Sequence, residues 1–171
     1  MRTLLLMRHA KSSWDNPAQT DHERPLNNRG ERSAPIMGQW LKAEGLTPDL
    51  IVCSDARRTR QTADLVAPAC GYSGEIMVSE ALYLASVSAW RTVLRSLPDG
   101  SRTVLCIGHN PGLEELLHDA TGKFQEMKTA SIARLSLDLP TWTDWDERLP
   151  PQRNEATVTR VRDIAREFDL D

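Results

Sequence analysis

The sequence predicts an α/β fold, a three-layer α/β/α sandwich around a mostly parallel central sheet. Three observations predict it. Short apolar runs at 3–7, 50–53 and 103–107 are bounded by polar residues and read as buried strands. Segments with apolar residues at helical spacing alternate with them. Each of the three runs then ends in a polar cluster: Arg8-His9, Ser54 through Thr62, and Gly108-His109-Asn110-Pro111. Clusters at the carboxyl ends of strands sit where open α/β sheets hold their ligands.

The elements follow in order. After the first strand, 11–25 is polar and rich in Asp, Asn and Pro, a loop long enough to be functional. Leu26-Asn27-Asn28 offers caps for a helix running to about Glu44. Its apolar face is Ile36, Met37, Trp40 and Leu41, and Gly45 suits its C′ position. Pro35 is expected to bend this helix or delay its start. The 50–53 strand is followed by a helix over about 56–66, expected to stop before Pro68. A weak strand is expected at 76–78. Ser86 caps a helix carrying Val87, Trp90, Val93 and Leu94, which ends before Pro98-Asp99-Gly100. The 103–107 strand is the most apolar. Asn110 as N-cap and Pro111 at N1 open the next helix, with Glu114 and Glu115 in its first turns. Alternating patterns at 132–139 and 156–161 predict amphipathic strands. Between them, 140–153 holds Trp142, Trp145 and three prolines, an extended excursion whose tryptophans are expected to pack on the sheet edge, or, as an exposed pair, to mark a partner contact. No repeat, linker or composition change divides the chain, so residues 1–171 are expected to form one domain, burying roughly two thirds of the unfolded surface.

A formal charge of −3 gives no bulk electrostatic case for nucleic acid or an acidic membrane surface. Arg57, Arg58 and Arg60 are nonetheless concentrated. Cys53, Cys70 and Cys106 cannot all pair internally and read as reduced thiols. No CxxC or closely spaced Cys/His set supports a metal site, and no cofactor is expected. The apolar start is too short for a signal peptide, and no run approaches a membrane span. A soluble cytoplasmic protein is expected.

Two arginines and two histidines converging on one sheet edge suit phosphoryl chemistry. A phosphoryl group in transit carries charge on its peripheral oxygens, so it needs fixed positive donors around it. Arginine supplies planar paired donors and stays charged; Arg8 and Arg58 are the candidates. A neutral histidine can take the phosphoryl group and pass it to water, dividing one hard displacement into two easier ones. His9 suits that role, with flanking arginines expected to keep it neutral. His109, opening a helix, is expected to add a further donor beside the partial positive charge of the helix amides. Any one of these residues alone would read as an ordinary strand-end, capping or solvated group; the three motifs in order favour a site.

These motifs resemble the histidine phosphatase superfamily, the phosphoglycerate-mutase-like fold, in its small SixA-like phosphohistidine phosphatase branch. Arg8-His9-Ala10 resembles the family's Arg-His-Gly signature. Ser54 through Thr62 resembles Ser-Pro-x-x-Arg-Ala-x-Gln-Thr, which places the second phosphate-binding arginine at Arg58. Gly108-His109 resembles the second-histidine motif. Lys11-Ser12-Ser13-Trp14, Arg24-Pro25-Leu26 and Arg29-Gly30 look like the SixA-type opening. The match runs from about residue 3 to 138. Ala10, Asp55 and Thr59 depart from the pattern without changing a phosphate-contacting group. For the general acid, the resemblance implies a glutamate after the third strand. Glu80 is the positional match in a loose motif, with Asp15 and Asp21 as alternatives.

Only 21 residues separate Glu80 from Arg102, and one expected helix takes up much of that interval. Little chain is left for a lid, so an open site is expected, suited to a phosphate presented on a protein surface. The resemblance implies phosphohistidine on a signalling or phosphotransfer protein as substrate, with inorganic phosphate as product. Its labile P–N bond needs less help from an acid than an ester does. Three alternatives stand: a phosphatase of small phosphomonoesters, a phosphoprotein-binding module without turnover, and a metallophosphatase. A mutase is less well suited to an open pocket.

Overall fold

The computed structural model describes residues 1–145 and 154–168, and their six strands form one sheet. The strands are β1 (Arg2–Arg8), β2 (Leu50–Ser54), β3 (Ile76–Ser79), β4 (Thr103–Gly108), β5 (Ile132–Leu137) and β6 (Ala156–Thr159). The helices are α1 (Asn28–Ala43), α2 (Arg57–Cys70), α3 (Val87–Arg95), α4 (Gly112–Thr121) and α5 (Val161–Phe168). The strand order is β3-β2-β4-β1-β5-β6. The first four strands run parallel, and β5 is antiparallel to both β1 and β6.

Helices cover both faces, so the central strands are apolar on both faces. In β1, Leu4 and Leu6 join one core with Trp90 of α3 and Leu113 and Leu117 of α4. Leu5 and Met7 join the other with Met37 and Leu41 of α1 and Val66 of α2. β4 splits likewise, Val104 and Cys106 to the first core and Leu105 and Ile107 to the second. The expected three-layer architecture is observed, with no large insertion between β3 and β4. Among the described residues, no helix is long and apolar enough to cross a membrane.

Several element ends differ from expectation. The start of α1 is not delayed: the Asn27 side chain accepts from the Gly30 amide at 2.9 Å, and Pro35 lies inside the helix. Likewise α2 continues through Pro68 to Cys70. Val66, Ala67 and Cys70 are buried on this helix, whereas Asp64, whose carbonyl loses its helical donor to the proline, faces solvent. Gly71, at φ 82°, ends it, and the Gly71 and Tyr72 amides donate back into the last turn.

Asn110 does not cap α4, because its side-chain amide donates to the Met127 carbonyl at 2.9 Å and the helix begins at Gly112. The strand expected over 156–161 stops at Thr159, and α5, not expected, follows. There Asp163 accepts from the Arg160 amide at 3.0 Å and returns its own N–H to the Arg160 carbonyl. In the 140–153 stretch, Trp142 and Trp145 are buried in the first core, and the Trp142 indole donates to the Ser101 carbonyl at 2.7 Å. Residues 146–153 of that expected excursion lie outside the described residues.

Candidate active site

Parallel pairing of β1 with β4 sets Arg8 opposite Gly108, and the His9 amide donates to the Gly108 carbonyl at 3.1 Å. The residues that follow each strand therefore meet, with the His9 and His109 ring centroids 5.3 Å apart. Gly108 lets Trp90 of α3 pack against this end of β4, since a Cβ there would lie 2.5 Å from the Trp90 ring. β2 ends beside β4, and the first turn of α2 brings Arg58 to the same place.

His9 is held in one tautomer. Its Nδ1 lies 2.7 Å from the Ala10 carbonyl, which can only accept, so Nδ1 carries the proton and Nε2 keeps a lone pair. The Arg58 Nε donates toward that Nε2 at 3.4 Å. Burial pushes the His9 pKa down to about 3, with Arg58, Arg8 and Arg24 adding to the shift against the Ala10 hydrogen bond. Neutrality was expected to come from the arginines; burial is the larger cause. Ala10, which stands in place of glycine, is wholly buried, and its amide donates to the Thr62 hydroxyl at 3.1 Å.

His109 takes the opposite tautomer. Arg58 Nη2 donates toward its Nδ1 at 3.3 Å, leaving Nε2–H to donate to the Ser54 hydroxyl at 2.7 Å. Burial again comes first in lowering its pKa to about 3, followed by His9 and Arg58. Arg8 donates to the Met127 carbonyl at 3.1 Å, while its buried Nε has no partner among the described residues.

The four groups Arg8, His9, Arg58 and His109 line one open pocket of about 250 Å³. Asp21 lines it as well. Its carboxylate accepts from Arg58 at 3.0 Å, from Arg24 at 2.9 Å and from the Tyr83 hydroxyl at 2.5 Å, and its backbone carbonyl accepts from Arg58 at 2.6 Å. Partial burial pushes this carboxyl up, but the hydrogen bonds from Tyr83, Arg58 and Arg24 outweigh it and hold the pKa at about 2. Glu80 is exposed and outside the lining, on the turn that brings Leu84 to the pocket and Tyr83 against the Asp21 carboxylate and the His109 ring. Asp15 is also exposed and outside it.

Several further groups act at the site without having stood out in the sequence. Arg24 is a third arginine in the pocket, buried, with Trp14 stacked 3.2 Å from its guanidinium and the Ser12 hydroxyl hydrogen-bonded to it. Tyr83 and Ser54 orient Asp21 and His109. The Arg24-Pro25-Leu26 motif was visible; its place at the pocket depends on a loop whose path no periodicity records. Chemically, three guanidinium groups and a lone-pair nitrogen around an open cavity suit capture and transfer of a tetrahedral oxyanion.

Residues 4–92 match the model of the histidine phosphatase superfamily, branch 1. The chain is 35% identical over 153 residues to an uncharacterized chloroplastic protein of Arabidopsis thaliana, covering 84% of this chain and 70% of that one. A candidate phosphohistidine phosphatase SixA from Nakamurella multipartitia superposes with a TM-score of 0.78 at 30% identity, covering 93% of this chain and 95% of that one. The protein histidine phosphatase SixA complexed with tungstate shares the fold at 23% identity, with a TM-score of 0.79 over 95% and 99% of the two chains.

Proposed function

The chain belongs to the histidine phosphatase superfamily, and from that premise we propose that it removes phosphate from phosphohistidine on a cytoplasmic signalling or phosphotransfer protein. Membership makes it a phosphatase that takes a phosphorylated substrate and releases phosphate. The finer reading rests on one observation above all: the His9 Nε2 lone pair, fixed by the Ala10 carbonyl, stands among Arg8, Arg58 and His109 in an open pocket.

In the proposed reaction His9 Nε2 attacks phosphorus while the substrate's P–N bond breaks. The departing imidazole keeps the electron pair and takes a proton from solvent. Arg8 and Arg58 hold the peripheral oxygens. His109 accepts from Arg58 at Nδ1 and donates from Nε2 to Ser54, and so orients the Arg58 guanidinium against the phosphoryl oxygens. Water then attacks the phospho-His9 and gives up a proton to solvent, the P–Nε2 bond breaks with its electron pair returning to Nε2, and inorganic phosphate leaves. Asp21 orients Arg58 and Arg24. No step requires a metal. An ester leaving group is poorer than imidazole and needs an acid, the role left to Glu80.

Steady-state turnover with chelator present tests this. A phosphohistidine protein, a phosphoserine peptide and para-nitrophenyl phosphate are compared on wild type, His9→Gln and Glu80→Gln. The expected outcome is metal-independent turnover of phosphohistidine that His9→Gln abolishes and Glu80→Gln changes less than about threefold. Preferred hydrolysis of the esters, with strong dependence on Glu80, would instead favour a small-phosphomonoester phosphatase. Stoichiometric phosphate binding without turnover of any substrate would leave a binding module.

A further inference from the structure

A second cavity, about 350 Å³, adjoins the candidate active site and shares Lys11 and Thr129 with it. Five cations line it: Lys11 after β1, Arg29 of α1, Lys128 before β5, and Arg160 and Arg162 around the start of α5. Its lining holds no carboxylate among the described residues, in a chain whose net charge is −3. Glu126 pairs with Lys128 at 2.7 Å and Asp163 approaches Arg162 at 3.8 Å. Among the described residues Lys11, Arg29 and Arg160 have no ion pair within 4.0 Å, although Glu126 also feels the charges of Arg160 and Arg162 at longer range. Such concentration against the overall charge costs mutual repulsion and creates a local field for an anionic partner.

We propose that this groove docks an acidic stretch of the substrate protein flanking its phosphorylated residue. The proposal rests on the phosphoprotein reading above and names the surface chemistry of that partner. The cavities adjoin through Lys11 and Thr129, so a chain placing its phosphate against His9 can continue into the groove without a gap. The cations come from separate segments, and Lys11, Arg29, Lys128 and Arg162 are exposed. This is a distributed surface suited to several carboxylates, rather than a buried cradle for one small anion. Among the described residues no aromatic side chain lines the groove, so the described lining lacks the stacking platform typical of single-stranded nucleic acid sites.

The test uses Arg29→Glu with Arg160→Glu, and the milder Arg29→Gln with Arg160→Gln as a second variant should the first fold poorly. Neither position lies in the candidate catalytic pocket. Fluorescence anisotropy compares a labelled Glu-rich dodecapeptide, its Gln-substituted control and a single-stranded DNA dodecamer. The Glu-rich peptide is expected to bind at low salt, the Gln control is not, and the reversal variant weakens binding roughly tenfold. For a phosphohistidine protein with acidic residues around its phosphorylated site, kcat/KM falls by a similar factor, while hydrolysis of free phosphohistidine is unchanged. Absence of peptide binding, equal binding of the Gln control, tighter binding of DNA, or equal loss on both substrates would overturn the proposal. Failure of the phosphohistidine reading is separately visible: turnover would be absent while the peptide result still decided the groove.

Discussion

At His9 a single carbonyl and the burial of the ring together set the chemistry. With the pKa near 3, the imidazole is a neutral nucleophile across the physiological range. The acid limb of kcat/KM is therefore expected well below the ordinary histidine value of about 6.5. A pH–rate profile with an acid limb at 6.5 would contradict this. Stability follows the same shift. Between about pH 6.5 and 3 the unfolded chain binds protons that His9 and His109 refuse when folded, so stability is full above 6.5 and falls as pH drops. His9→Gln with His109→Gln is expected to flatten the denaturation free energy measured over that interval. Asp21 behaves as a carboxylate. Its depressed pKa contributes stability that is present above about pH 4 and lost as pH falls toward 2. With 42% of the side chain exposed, that contribution is below about 1 kcal/mol. The larger effect of Asp21→Asn is catalytic: loosening Arg58 is expected to lower kcat/KM roughly tenfold, mostly through KM.

At the element scale the site depends on close approach between segments. A Cβ on Gly30, in the first turn of α1, would lie 2.1 Å from the Lys11 carbonyl, which also accepts from the Asn27 amide at 3.0 Å. Gly30→Ala therefore forces α1 away from the loop that follows His9. A loss of about 1–3 kcal/mol in urea denaturation is expected, accompanied by a higher KM. Strands were legible because their apolar runs are short and bounded. Helix ends were less so. Pro68 is tolerated where the freed carbonyl belongs to an exposed residue, which depends on packing. The short α5 offers Val161, Ile164, Ala165 and Phe168 as apolar signal, and the preceding alternation runs into it at Val161.

For the whole molecule, we propose that residues 1–171 unfold as one unit. Trp90, Trp142 and Trp145 report on one core, and Trp40 packs against the other. Thermal transitions followed by fluorescence and by far-ultraviolet circular dichroism are expected to coincide; separate transitions would divide the chain. The same long-range organisation explains which site residues were readable. Arg8, His9 and His109 adjoin apolar strands, and Arg58 falls in a dense local motif. Asp21 meets Tyr83 across 62 positions, and nothing local in either segment announces the contact. Glu80, chosen by position along the chain, stands on the turn that instead presents Tyr83.

The covalent role of His9 is tested most directly by mixing the enzyme with a phosphohistidine protein carrying labelled phosphate, quenching within one turnover in alkali, and mapping the label. The expected result is an acid-labile, alkali-stable phosphate on His9, formed before free phosphate appears and absent from His9→Gln. Full turnover by His9→Gln, or label on any other residue, would contradict it.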